Sequence, residues 1–160
     1  MTIESTRFGS IEIEDDAVLT FPEGLIGLGG SRWCLIAENG TTPFFWLHSI
    51  DDPMLAVPLT NPWLFFSDYE VKVADDDARA LELEGPETAS IFCVVRAAPA
   101  LEDFTVNLLA PVVIHAARRV GRQVINEIGG YALRQLLFSE TELQQVEPVS
   151  PGVPVAAWAG

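Results

Sequence analysis

Short runs in which apolar and polar residues alternate recur about every dozen positions, divided by Gly, Pro, Asn and Asp. That spacing predicts an all-β domain. In FGSIEIEDDAVLTF, Ile11 and Ile13 alternate with Glu12 and Glu14, Asp15-Asp16 make a turn, and residues 17–21 resume a strand. Further strands are expected over residues 33–37, 44–50, 89–97, 105–109, 112–116 and 122–126, with LAVPLT (55–60) leading on from the second of these. Asn39-Gly40 is a strong hairpin signal, because both central positions of a type I′ turn need positive φ, and Gly121 is read as the turn of the last hairpin. Residues 131–138 fit either a last strand or a short helix. Only residues 75–83, DDDARALEL, read as an α-helix, with an acidic start that suits the helix dipole and a small apolar face at Ala78 and Leu81. With so many strands in one small domain, a closed or nearly closed, mainly antiparallel β-barrel with one short helix avoids exposed edges.

One stretch resists this reading. In TNPWLFFSDYEVKV, Trp63, Leu64, Phe65 and Phe66 are apolar on every side, and then Tyr69, Val71 and Val73 alternate with Asp68, Glu70 and Lys72. In a strand, neighbours point to opposite faces, so Phe65 and Phe66 cannot both enter one core. One of them, with Trp63 or Leu64, would face outward beside acidic residues, the composition of a protein-binding patch. Alternatively, a second strand or the helix covers that face. Both readings stand on the sequence.

The chain has 160 residues, 49% of them hydrophobic, with a mean hydropathy of +0.26, enough for one domain with a real core. Residues 1–138 are expected to form the barrel. After Ser139, TELQQVEPVSPGVPVAAWAG, with Pro148, Pro151 and Pro154, predicts a disordered tail or an extended arm, and cutting there should leave the fold intact. No run approaches a membrane span and MTIESTRFGS lacks the marks of a signal peptide, so a cytoplasmic protein is expected. Asp and Glu outnumber Lys and Arg by 23 to 9, a net charge of −14. That balance disfavours nucleic acid and anionic lipid and favours a basic protein partner. The basic cluster Arg118, Arg119 and Arg122 reads as a solvated turn.

Candidate chemistry is sparse. Cys34 and Cys93 lie in apolar runs and read as buried free thiols, although their number permits a disulfide. His48 and His115 lie in strands without HxH or HExxH spacing and read as core histidines. The glycines of PEGLIGLGGSR match neither GxGxxG nor a P-loop, Asp75-Asp76-Asp77 lacks the glycine and spaced glutamate of a calcium loop, and no glycines of a nucleophile elbow flank Ser49 or Ser139. No enzyme, cofactor or metal is expected.

Taken in order, FPEGLIGL, TPFFWLHSIDDP, LAVPLTNPWLFFSDYEV and TVNLLAPVVIHAARRVGRQVI resemble the FliW family of flagellar assembly factors, over about residues 8–138. The resemblance implies a non-enzymatic, β-barrel-like protein, monomeric when free, with two competing partners. These are flagellin and the RNA-binding translational repressor CsrA, which the family antagonises without occupying its RNA site. It implies a protein-binding site formed by Asn61, Trp63, Phe65, Phe66, Asp68, Tyr69 and Glu70, with Asn107, Leu108 and Pro111 of NLLAP as a second wall. The alternatives are an export chaperone for flagellin alone, or a small-ligand barrel with an interior pocket at His48 or Trp46.

Overall fold

The computed structural model describes residues 1–37 and 43–139. The Asn39-Gly40 turn and everything from residue 140 onward, Trp158 included, lie outside the described residues. A separate hairpin, β1 (Thr2–Ser5) and β2 (Gly9–Glu12), precedes the barrel. The strands that follow are β3 (Val18–Thr20), β4 (Arg32–Ala37), β5 (Phe44–Ser49), β6 (Ala56–Thr60), β7 (Ala89–Arg96), β8 (Thr105–Val106), β9 (Val112–His115), β10 (Val120–Gln123) and β11 (Gln135–Leu136). Seven of them close on themselves in the order β7-β6-β5-β4-β3-β10-β9, with β9 pairing back to β7. All pairs in this barrel are antiparallel except the parallel contact of β3 with β10, at Thr20 and Val120. β8 and β11 extend the sheet from the far end of β7. The expected mostly β barrel with one short helix is the fold observed.

The barrel interior is filled by Leu19, Phe21, Trp33, Leu47, Leu59, Val112 and Ile114. The run FFWLHS of β5 is apolar on both parities because both of its faces are covered: Phe45 and Leu47 belong to the interior, Phe44 and Trp46 to a second core outside the wall. That outer core is roofed at one end by the β1–β2 hairpin, whose Phe8 meets Trp46 edge-on at 5.9 Å. Ser5 Oγ accepts from the backbone N–H groups of Arg7 and Phe8 and lies 2.8 Å from His48 Nε2. His48 Nδ1 contacts the Ser49 carbonyl at 2.7 Å, so this histidine is committed to holding the hairpin down.

Several sequence expectations need correction. The helix α1 spans only Asp75–Ala80, because Leu81 tucks into a third core with Val113 and Val124 and Glu82 takes a left-handed φ of 54°. Gly121 is not a turn: the chain reverses over residues 116–119, where Arg119 has φ 57°, and Gly121 lies inside β10. Arg122 is likewise in that strand, and two of the three arginines are paired, Arg118 with Glu82 and Arg122 with Asp77 (2.8 Å) and Glu23 (3.6 Å). Among the described residues, no helix is long and apolar enough to cross a membrane.

Cys34 and Cys93 are free and buried. Burial pushes Cys34 up to about 11 from the ordinary 9.0. It pushes Cys93 up to about 12, against a smaller opposing effect of its contact with the Tyr69 hydroxyl. Unfolded thiols release protons near pH 9 while the folded ones hold theirs, so the unfolded chain binds fewer protons and stability falls with rising pH across that window. The expected result is full stability with respect to these groups below about pH 9, declining toward pH 11 and 12. Neither thiol should react with a disulfide reagent at pH 8 until denaturant is added; rapid reaction of the native protein would count against their burial.

Candidate functional site

The stretch after β6 is built differently from a strand. Asn61 Oδ1 accepts from the backbone N–H of Trp63 at 3.0 Å and Pro62 occupies the first helical position, which together start a 3-10 turn over Pro62–Leu64. The Pro62 carbonyl then accepts from the N–H groups of Phe65 (3.1 Å) and Phe66 (2.8 Å). Because the chain coils here, strand parity does not apply. Phe65 and Phe66 are both half-buried against the outer core, Phe65 stacking on Phe44 at 6.2 Å and meeting Phe138 edge-on at 5.6 Å. The residues turned outward are Trp63, 37% exposed, and Leu64, 62% exposed. The expectation that one of the two phenylalanines faces solvent is thus corrected, and Leu64 joins the surface.

Residues 69–73 keep the predicted alternation without the predicted strand. Tyr69 is buried and Val71 and Val73 pack inward, whereas Asp68, Glu70 and Lys72 are exposed. Side chains from far along the chain replace most of a sheet ladder. The Asn126 side chain donates from Nδ2 to the Glu70 carbonyl (2.8 Å) and accepts at Oδ1 from the N–H of Lys72 (3.0 Å). The Tyr131 hydroxyl accepts from the N–H of Glu70 (2.9 Å), and a single main-chain bond runs from Glu127 N–H to the Lys72 carbonyl. Asn126 and Tyr131 are the residues that sequence reasoning missed. Their partners at Glu70 and Lys72 lie more than fifty positions away, and the one local bond of Asn126, from the N–H of Ile128, does not point to them.

Tyr69 is the hub beneath this surface. Its hydroxyl donates to the Leu108 carbonyl (2.7 Å), its carbonyl accepts from Trp63 Nε1 (2.8 Å), and its ring meets Tyr131 edge-on at 4.8 Å. Burial, the largest effect, raises the phenol well above its ordinary 10.0, so it stays a hydrogen-bond donor. Leu108, 3% exposed, is buried and supports the site from below through its carbonyl, and Pro111 is buried as well, so neither forms a second exposed wall. Half-buried Asn107 shapes that support, its Oδ1 accepting from the N–H of Ala110 at 2.9 Å. The finished surface is an indole and a leucine fixed on a packed base beside two carboxylates, Asp68 and Glu70. Neither carboxylate makes an ion pair among the described residues.

Among the described residues, no group of three or more His, Cys, Asp or Glu could hold a metal ion. The arrangement offers contact area and charge.

The sequence model of the family described as FliW protein matches residues 2–137. The chain belongs to the FliW family. It is 34% identical over 146 residues to the flagellar assembly factor FliW of Desulfitobacterium hafniense, covering 91% of this chain and 96% of that one. It is 36% identical over 149 residues to the FliW of Magnetococcus marinus, covering 92% and 91%. A crystal structure of a flagellar assembly factor FliW superposes with a TM-score of 0.79 at 30% identity, over 88% of this chain and 99% of that one. The chain is accordingly a flagellar assembly factor, a FliW barrel without an enzymatic role.

Proposed function

We propose that this assembly factor works in the cytoplasm by partner exchange. It binds flagellin, and when flagellin leaves for export it is free to bind the translational repressor CsrA and relieve repression away from the RNA site. The observation that supports this most is the Trp63–Leu64 platform, an exposed aromatic anchor on a rigid base beside the unpaired Asp68 and Glu70. Trp is over-represented among residues that dominate binding energy, and unpaired carboxylates steer a basic partner. The net charge of −14 adds to that field. Phe65, Phe66 and Tyr69 fix the platform from beneath; Asn61 sets its turn.

Calorimetric titration of CsrA into wild type and Glu70→Lys tests the assignment. Glu70 is exposed, so the reversal should leave stability within about 0.5 kcal/mol. CsrA affinity should fall at least tenfold, about 1.4 kcal/mol. Unchanged affinity in a folded Glu70→Lys protein would move the site off this segment. Binding of flagellin with no binding of CsrA by wild type would reduce the function to that of an export chaperone.

A further inference from the structure

A second apolar surface has no part in the platform. Ile26 (59% exposed), Leu28 (39%) and Leu133 (56%) line a groove of about 620 Å³ together with Pro58 of β6 and Val94 of β7. It exists because β6 and β7 pair only at Leu59–Val94 and Thr60–Cys93. Beyond these, β7 pairs with β8, and Pro58 has no N–H to extend the ladder. The charged residues lining the groove are Arg96 and Arg134, both exposed, and neither makes an ion pair among the described residues. In a chain of net charge −14, two unpaired guanidiniums beside an apolar trough specify an apolar occupant that carries acid.

The chain itself contains such a segment. Residues 140–160 hold Glu140, Glu142 and Glu147 and no Lys or Arg, followed by Val153, Val155 and Trp158. We propose that this segment docks in the groove, its valines and Trp158 against Ile26, Leu28 and Leu133 and its glutamates toward Arg96 and Arg134. The described chain stops at Ser139, five positions beyond Arg134, and an extended chain spans about 3.3 Å per residue, so a tail of this length can double back along β11 with much to spare. Pro148, Pro151 and Pro154 disfavour a helix and favour an extended occupant. Tethering gives the segment an effective concentration that a free peptide does not match, and a second copy of the chain brings a further net charge of −14. A docked tail covers the groove, and any partner that uses it must first displace the tail. This docking does not depend on the identity of the partners at Trp63.

Paramagnetic broadening in the full chain tests it. A nitroxide on Gly160→Cys, with the buried Cys34 and Cys93 unlabelled, should selectively broaden the amide signals of Ile26, Leu28, Arg96 and Leu133. The broadening should be lost in the folded Arg96→Glu, Arg134→Glu background. Absence of selective broadening, broadening centred on Trp63 and Glu70, or its persistence in the double charge reversal would each overturn the docking. So would broadening seen only between an isotope-labelled chain and a separate spin-labelled copy, which would make the contact intermolecular.

Discussion

Asn126→Ala should lower stability by about 2–3 kcal/mol, a large share of what a domain of this size has. The side chain is 4% exposed and makes three hydrogen bonds, to the Glu70 carbonyl and to the N–H groups of Lys72 and Ile128. Removing it leaves one acceptor and two donors without partners, at about 1 kcal/mol each after water reaches the outermost. Asn126→Asp isolates one of these bonds, because the carboxylate keeps both acceptor contacts and sets a negative charge against the Glu70 carbonyl. Urea melts should show a lower midpoint with an unchanged slope, and amide exchange at Glu70 and Lys72 should accelerate. A loss below about 0.5 kcal/mol would mean that the segment is held by packing alone.

The second large effect is at Gly121. A Cβ there would lie 2.3 Å from Cζ of Phe21, whose ring is fully buried and meets Trp33 edge-on at 6.4 Å. Because the ring is buried in the barrel core and must shift to admit the methyl group, Gly121→Ala should cost about 2–3 kcal/mol through overpacking. Phe21→Leu in the same chain shortens the obstructing side chain and should recover about 1 kcal/mol or more of the sum of the two single losses. Strict additivity in thermal or urea melts would place the damage elsewhere than at this contact.

These residues also show what was legible in the sequence. Alternation set Asp68 and Glu70 on one face and Tyr69 with Val71 on the other, since a period of two describes any extended chain, whether or not a neighbour completes a ladder; that Tyr69 lies beneath the surface and not in it came from the structure. It could not reveal that Asn126 and Tyr131 stand in for that neighbour. The Asn61-Pro62 pair is a local cap-and-first-turn signal that, given more weight, forecasts the coil at Trp63 and removes the parity paradox of Phe65 and Phe66. Gly121 was misread because glycine marks turns and close approaches alike, and only the position of Phe21 separates the two. The strand β1 escaped notice because TIES offers a single large apolar group, Ile3, which is buried. Leu108 and Pro111 are apolar types whose burial the resemblance alone did not settle. The barrel itself came through clearly, because its strands are local and its closure follows from having so many of them.

The one parallel contact in the barrel wall carries a kinetic consequence. Thr20 and Val120 are joined in register across a hundred positions of chain, while the other barrel pairs link strands closer in sequence. Ring closure over so long a loop is costly in entropy until the flanking hairpins already exist. The meander from β3 to β7 and the β9–β10 hairpin are therefore expected to form first, and the seam between β3 and β10 last. A seam of one residue pair that closes late is also where the ring should part most readily, so unfolding is expected to begin at Thr20 rather than evenly around the circumference, with amide exchange fastest there among the barrel strands.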